Sequence, residues 1–409
     1  MTSSPLVSML AHLARISDEP GKLTRTFLSP AMRRANALVG KWMREAGLVV
    51  REDAVGNLIG RRESSRRGAK TLLLGSHLDT VREAGRFDGA LGVLLPIVAL
   101  AELRRTKIEL PFAVEVLGFS EEEGVRFSSA YLGSKGYMGR LRAADLQLRD
   151  AQGVSVAQAL RAHGGGKFRL PSAAHRRGDL LGYVEVHIEQ GPVLEAEKLA
   201  VGLVSAIAGQ TRGRLTFCGR AGHAGTTPMA LRRDALAGAA ETILFAEQLA
   251  RSCEGLVATV GTVAIRPGAP NVIPAEAVIS LDVRHARDSI RRRALKTLLT
   301  HARGIARRRR LSVEWECTQD NGAVACSPRL GAQLAASVEA VQGRSLALVS
   351  GAGHDAVVLA ALAPVAMLFV RCRAGLSHHP DEHASPRDLD VALRVMIDFL
   401  QRLAQQPPR

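Results

Sequence analysis

Histidines and carboxylates recur at the ends of apolar runs in this chain, and that mixture of types is its first chemical signal. After "TLLL" (71–74) come His77, Asp79 and Asp88, within "GSHLDTVREAGRFDGALGV". After "FAVEVLGF" (112–119) come Glu121, Glu122 and Glu123. The run "GYVEVHIE" (182–189) carries His187, and the run at 364–370 leads into "GLSHHPDEHAS", with His378, His379 and His383. Hard ions favour all-oxygen shells, whereas mixed imidazole and carboxylate donors suit Zn²⁺ or Mn²⁺. Five ligands with one shared carboxylate are what two metal ions ~3.5–4 Å apart require. His77, Asp88, Glu123, His187 and His378 make such a set. Asp79 lies two residues beyond His77, on the same side of an extended segment, and can hold the second ring nitrogen of that histidine. Of two adjacent glutamates, one can bind metal while its neighbour stays free as the base for a bound water.

Each piece alone has an ordinary reading. A lone strand-end Asp or His is usually a helix cap or a satisfied polar residue. "EEEG" alone reads as a solvated acidic turn. "SGAGHDA" (350–356) suggests a nucleotide loop but lacks the full glycine spacing. "HPDEH" (379–383) matches the H-x-x-E-H zinc-helix pattern, yet Gly375 and Pro380 make this a loop or helix start, and the pattern leaves the other acids unexplained.

The elements that must position these residues alternate from 71 to 140: an apolar run, a helical stretch at 90–105 and a second apolar run at 112–119. That βαβ rhythm puts chemistry at strand ends, as in open α/β sheets. In the strand at 182–189, Val184, Val186 and Ile188 share one face while Glu185, His187 and Glu189 share the other. Residues 212–318 follow a different order. A strand opens at 212, helices are expected at 232–251 and 288–306, and strands at 257–265, 278–284 and 311–318. This β-α-β-β-α-β order is a compact unit of the split βαβ type. The α/β rhythm then returns with a helix at 328–342, a strand at 364–370 and a helix at 387–405. The expected fold is a large α/β catalytic domain with a central, mostly parallel sheet, formed by 1–210 and 321–409. A lid or dimerisation domain at 211–320 is inserted into it.

Composition narrows the function classes. The chain has 409 residues, enough for two or three domains and a large core. No apolar run approaches the ~18 residues of a membrane span, and Arg15 interrupts the N-terminal apolar stretch, which argues against a signal peptide. The five cysteines are scattered without a CxxC pair, a pattern expected of reduced thiols in a cytoplasm. The formal charge of +16 raises the possibility of nucleic acid. However, the basic runs at 61–67, 291–293 and 307–310 lack interleaved aromatics or any nucleic-acid signature, so they read as solvated faces. The excess charge can still attract an anionic substrate.

Seven segments in order carry a family resemblance: "GSHLDTV…GRFDGALGV", "EEEGVRF", "VEVHIEQGPVLE", "AGHAGTTPMALRRDA", "PNVIPAEAVISLDVR", "SGAGHDA" and "MLFVRC…GLSHHPDE". They resemble the dinuclear-metal amidohydrolases that include allantoate amidohydrolase, N-carbamoyl-L-amino-acid hydrolase and β-ureidopropionase, and that share a fold with di-zinc exopeptidases. The resemblance implies two divalent ions, Zn²⁺ or Mn²⁺, bridged by Asp88. His77 and His187 complete one site and Glu123 and His378 the other, with Glu122 as general base. It implies His223, Asn271 and Arg284, and at the hinge Gln210, as substrate-binding residues, with His223 donating to the developing oxyanion across a homodimer. The residues themselves agree on Arg284, because a guanidinium fork grips a carboxylate through two hydrogen bonds. An Asp282–Arg284 surface pair is the plain alternative.

The implied substrate is a small anionic ureido or N-carbamoyl compound. Allantoate, releasing ammonia and CO₂, comes first on the segments "IAGQTR" and "MLFVRCRAGLSHHP". An N-carbamoyl-L-amino acid or N-carbamoyl-β-alanine is next, then a dipeptide, and last an inactive binding homologue. The chain departs from the family at Ala84, where a second Gly is common. It departs again at His379, commonly Asn, and at His383, usually Tyr or Ser.

Overall fold

The computed structural model describes residues 4–166, 169 and 172–405. The chain divides into two compact units, Met1–Ser205 with Cys326–Arg409, and Ala206–Ala325.

In the first unit the apolar runs become strands Thr71–His77, Ala113–Phe119, Leu180–Ile188 and Val365–Val370. The four are parallel neighbours, in the order Ala113–Phe119, Thr71–His77, Leu180–Ile188, Val365–Val370. Antiparallel strands flank them, Leu58–Arg62 and then Val49–Glu52 on one side, Val201–Ile207 on the other. The sheet is thus parallel at its centre and antiparallel toward its margins, a mixed sheet within the expected α/β class. Every residue of Thr71–His77, Ala113–Phe119 and Val365–Val370 is buried, which is why these strands read as continuous apolar runs and not as alternating ones. Leu72, Leu74, Val114, Val116, Val184, Val186 and Leu368 join one core with helices Ala90–Arg105 and Pro386–Gln405. Parallel register places His77 opposite Phe119 and Ile188 opposite Val370, so the carboxyl ends of all four strands open at one edge. That edge is where an open α/β sheet receives ligands.

In the second unit, strands Gly209–Cys218, Val257–Thr259, Val263–Arg266, Glu276–His285 and Ser312–Asn321 form one antiparallel sheet. Helices Ala235–Arg251 and Asp288–Arg309 complete the β-α-β-β-α-β order. Strict alternation along Glu276–His285 buries Ala277, Ile279, Leu281 and Val283 with Phe217, Ala239 and Leu298. Asp282 and Arg284 fall on the opposite face. The strand expected at 257–265 is two pieces. Ser280 Oγ accepts the N–H groups of Gly261 and Thr262 at 3.1 and 2.9 Å, which takes both out of the ladder.

Candidate metal centre

The strand ends bring three imidazoles onto one carboxylate. Asp88 Oδ1 lies 3.4 Å from His77 Nε2 and 3.1 Å from His187 Nε2, while Oδ2 lies 3.3 Å from His378 Nε2. His378 Nε2 is also 3.7 Å from Glu123 Oε1. The other ring nitrogens face backbone carbonyls: His77 Nδ1 lies 3.0 Å from Asp79 O, and His187 Nδ1 lies 2.9 Å from Ile188 O. Donation there fixes the tautomer and leaves each Nε2 lone pair directed at the cluster. Asp88 stands immediately before Gly89 and the helix Ala90–Arg105, whose N-terminal end favours negative charge. Gly89 has φ +63°, and a Cβ there would come within 2.4 Å of the His77 ring. Only glycine lets this loop carry Asp88 up to His77.

Asp79 faces the second ring nitrogen of His77 as expected and does more besides. Its carboxylate lies 3.4 Å from His77 Nδ1, with its own backbone carbonyl nearer at 3.0 Å. The two carboxylate oxygens also accept the backbone N–H groups of Glu122 and Glu123 at 3.0 and 3.1 Å. Asp79 therefore holds the glutamate turn in place beside His77.

The electrostatics are those of crowded, buried acids. Burial and then the Asp88 charge push Glu123 up to about 7, and Glu122 is raised by burial and by Glu123. His378 is raised to about 9, first by its hydrogen bond to Asp88. Burial works against a charged His77, yet Asp79 and Asp88 hold it well above the ordinary imidazole range. Groups that strain to shed negative charge or to gain positive charge are what bound cations would relieve. Among the described residues, ligand atoms gather within 4.8 Å in three sets: His77, Asp88, His187; Asp88, Glu123, His378; and His77, Glu122, Glu123. The donor chemistry and the convergence on Asp88 fit divalent metal.

Supporting residues escaped the sequence reading. Glu382 accepts from the N–H groups of Phe87 and Asp88 at 2.9 and 3.1 Å, and Gln190 Nε2 lies 2.9 Å from Asp88 Oδ2. Arg25 is fully buried and donates to the carbonyls of Leu78, Leu13 and Ile16, bracing the turn after His77. Of the segment "SGAGHDA", His354 packs its ring 4.5 Å from that of His187 and Asp355 is fully buried. No local pattern announces these roles, since Glu382 and Gln190 reach the Asp88 loop, and Arg25 the Leu78 carbonyl, across 53 to 295 residues.

The extra histidines take other places. The exposed His379 accepts the N–H of Asp381 at 3.1 Å, and the His383 ring sits edge-on to Phe87.

In the second unit, Gln210 and Arg284 are cross-strand neighbours. Arg284 turns its fork on Asp282, with Nε at 2.9 Å and Nη2 at 2.7 Å, and Gln210 donates to the same carboxylate at 2.9 Å. His223 and Asn271 are both exposed and meet at a small two-stranded ribbon, where the Ala224 N–H donates to the Asn271 carbonyl at 2.9 Å.

Residues 73–402 match the model of peptidase family M20/M25/M40, and the chain belongs to that family. It is 40% identical to an allantoate deiminase of Arabidopsis thaliana, over 97% of this chain and 81% of that protein. It is also 40% identical to an N-carbamoyl-L-amino acid amidohydrolase of Geobacillus stearothermophilus, over 97% of both chains. Among solved structures, it resembles a hydantoinase/carbamoylase-family amidase of Burkholderia multivorans with a TM-score of 0.92, at 32% identity over 98% of each chain. Among the described residues, no helix is long and apolar enough to cross a membrane.

Proposed function

We propose that this chain is a metal-dependent amidohydrolase that cleaves a linear C–N bond of a ureido acid, with allantoate as substrate. The observation that carries this reading is the convergence of three Nε2 atoms on the two oxygens of Asp88, with Glu122 and Glu123 beside them. His77, Asp88 and His187 would hold one divalent ion, and Asp88, Glu123 and His378 the other. Bound Zn²⁺ or Mn²⁺ supplies Lewis-acid polarisation of a carbonyl and a lower pKa for water.

The chain's own residues do the rest. Glu122 takes the proton of the attacking water and returns it to the leaving nitrogen. Arg284 grips the substrate carboxylate, steered by Asp282, while Gln210 and Asn271 orient the ureido group. His223 donates to the oxyanion.

We assign Ala206–Ala325 to lid and dimer contacts. Its edge strand Val263–Arg266 and exposed Leu244, Val263 and Ile265 support a homodimer in which His223 serves the partner's site. A cytoplasmic setting accords with the scattered thiols.

The second reading, hydrolysis of an N-carbamoyl-L-amino acid, is favoured by the full-length likeness to the Geobacillus enzyme. Ammonia release from allantoate, several N-carbamoyl-L-amino acids and N-carbamoyl-β-alanine, compared by kcat/KM on Zn²⁺- or Mn²⁺-loaded protein, separates the two. Allantoate should give the highest value. A higher value for an N-carbamoyl amino acid would move the assignment to the second reading, and no turnover of any would sink both.

A further inference from the structure

The Glu of the segment "HPDEH" fills a place that the H-x-x-E-H reading does not describe. Glu382 is 3% exposed. Its Oε1 accepts the N–H groups of Phe87 and Asp88, two consecutive donors on the loop that bears the shared carboxylate. That loop passes Glu382 at Gly85, where an added Cβ would come within 2.3 Å of the Glu382 Cβ, so a side chain there would expel the carboxylate. Glu382 Oε2 lies 3.0 Å from Ser377 Oγ, and the same Oγ lies 2.9 Å from Asp88 Oδ2.

A serine hydroxyl carries one proton and can donate to one of these oxygens at a time. Asp88 Oδ2 is also the oxygen turned toward His378. A hydroxyl proton directed at it competes with any cation that His378 and Glu123 would share with Asp88. Gln190 Nε2, 2.9 Å from Asp88 Oδ2 and 3.2 Å from Ser377 Oγ, reaches both atoms and is not altered by a change at Glu382.

We infer that Ser377 is a two-position proton donor, and that Glu382 draws its hydroxyl away from Asp88 Oδ2 so that this oxygen can hold a cation. The inference rests on the metal-centre reading and makes Glu382 a positioning residue for it, acting on the Ser377 hydroxyl.

Glu382→Gln tests the switch because the side chain keeps its shape. Its amide oxygen must stay on the N–H groups of Phe87 and Asp88, since an NH₂ there would face two donors. The NH₂ then faces Ser377 Oγ and turns the hydroxyl proton onto Asp88.

Zn²⁺ binding to metal-stripped protein is measured by competition with a chromophoric chelator, for wild type, Glu382→Gln, Ser377→Ala and the double variant. Circular dichroism and melting of the metal-free proteins check the fold. Glu382→Gln should weaken one of the two ions by about ten- to a hundredfold. Ser377→Ala alone should not weaken either, and in its background Glu382→Gln should cost less than about threefold.

The inference is overturned if Glu382→Gln binds like wild type, if its loss persists in the Ser377→Ala background, or if Ser377→Ala alone loses tenfold. Should Glu382→Gln not fold, Glu382→Ala with and without Ser377→Ala is compared in the same way: a loss relieved in the Ser377→Ala background supports the inference, and equal losses in both overturn it. A wild-type chain that binds no Zn²⁺ would remove the metal-centre reading and this inference together. Normal wild-type binding with unaffected variants would remove the inference alone.

Discussion

Asp79→Asn should weaken metal binding although Asp79 lies outside the proposed ligand set. The Asp79 carboxylate is 1% exposed and accepts the N–H groups of Glu122 and Glu123, one on each oxygen, at 3.0 and 3.1 Å. An asparagine keeps one acceptor and presents an NH₂ to the other N–H. One buried donor is then orphaned, at about 1–3 kcal/mol. The negative charge 3.4 Å from His77 Nδ1 is lost as well. If roughly 2 kcal/mol of this falls on the arrangement that brings Glu123 and His77 to Asp88, metal affinity drops by about thirtyfold, inside the ten- to hundredfold range of outer partners of metal ligands. Competition with a chelator on the stripped protein reads that change, and melting of the metal-free protein separates it from global loss of fold. An Asp79→Asn variant that folds and binds both ions within twofold of wild type would refute the argument.

Glu122→Gln should keep both ions and lose turnover by roughly 10²–10⁴-fold. Glu123→Gln should lose one ion by elemental analysis, and equal metal loss in both would show the roles misassigned. Arg284→Lys should raise KM about tenfold or more with a smaller change in kcat, because an ammonium cannot form the fork that Arg284 makes; unchanged kinetics would place the carboxylate clamp elsewhere.

Mixing Glu122→Gln with His223→Ala subunits, each inactive alone, should return roughly a quarter of wild-type activity if pairing is random and each site draws on two chains. No recovery in confirmed heterodimers would confine His223 to its own chain or exclude it from catalysis. Buried Glu115 is a stability test far from the chemistry. Burial opposes its charge, but His175, Tyr137 and Arg61 hold it down to about 2 from 4.5. A lowered carboxylate stabilises above its ordinary range and loses that contribution as pH falls toward its folded value. Between pH 6 and 3.5, urea unfolding should therefore show wild type losing roughly 1–2 kcal/mol more than Glu115→Gln; parallel losses would mean that Glu115 is not held down.

Much of the fold was legible because the central strands are buried on both faces and announce themselves as apolar runs. The helices expected at 90–105 and 328–342 form at Ala90–Arg105 and Pro328–Gln342. The hairpin Val49–Glu52 and Leu58–Arg62 went unread, since its first strand, "VVRE", has no buried residue to set a period. The break at 260–262 was equally hidden, because its cause is the Ser280 hydroxyl some twenty residues away.

In the site, residue types suggested the ligands, but three histidines between 378 and 383 could not be ranked from spacing. They differ in direction: His378 points Nε2 at Asp88, His379 turns to Asp381, and His383 packs on Phe87. Gln190, Ser377 and Glu382 meet Asp88 and its loop, and Arg25 meets the Leu78 carbonyl, only after folding, so no local pattern could show them.

If hydrolysis depends on two ions held at Asp88, removing and restoring metal must remove and restore activity. The most direct test is metal content per chain by elemental analysis, together with ammonia release from allantoate and N-carbamoyl amino acids, before chelation, after it, and after Zn²⁺ or Mn²⁺ is restored. Two ions per chain, loss of activity with their removal and recovery on their return are expected. Undiminished hydrolysis by a chain stripped of metal would contradict it.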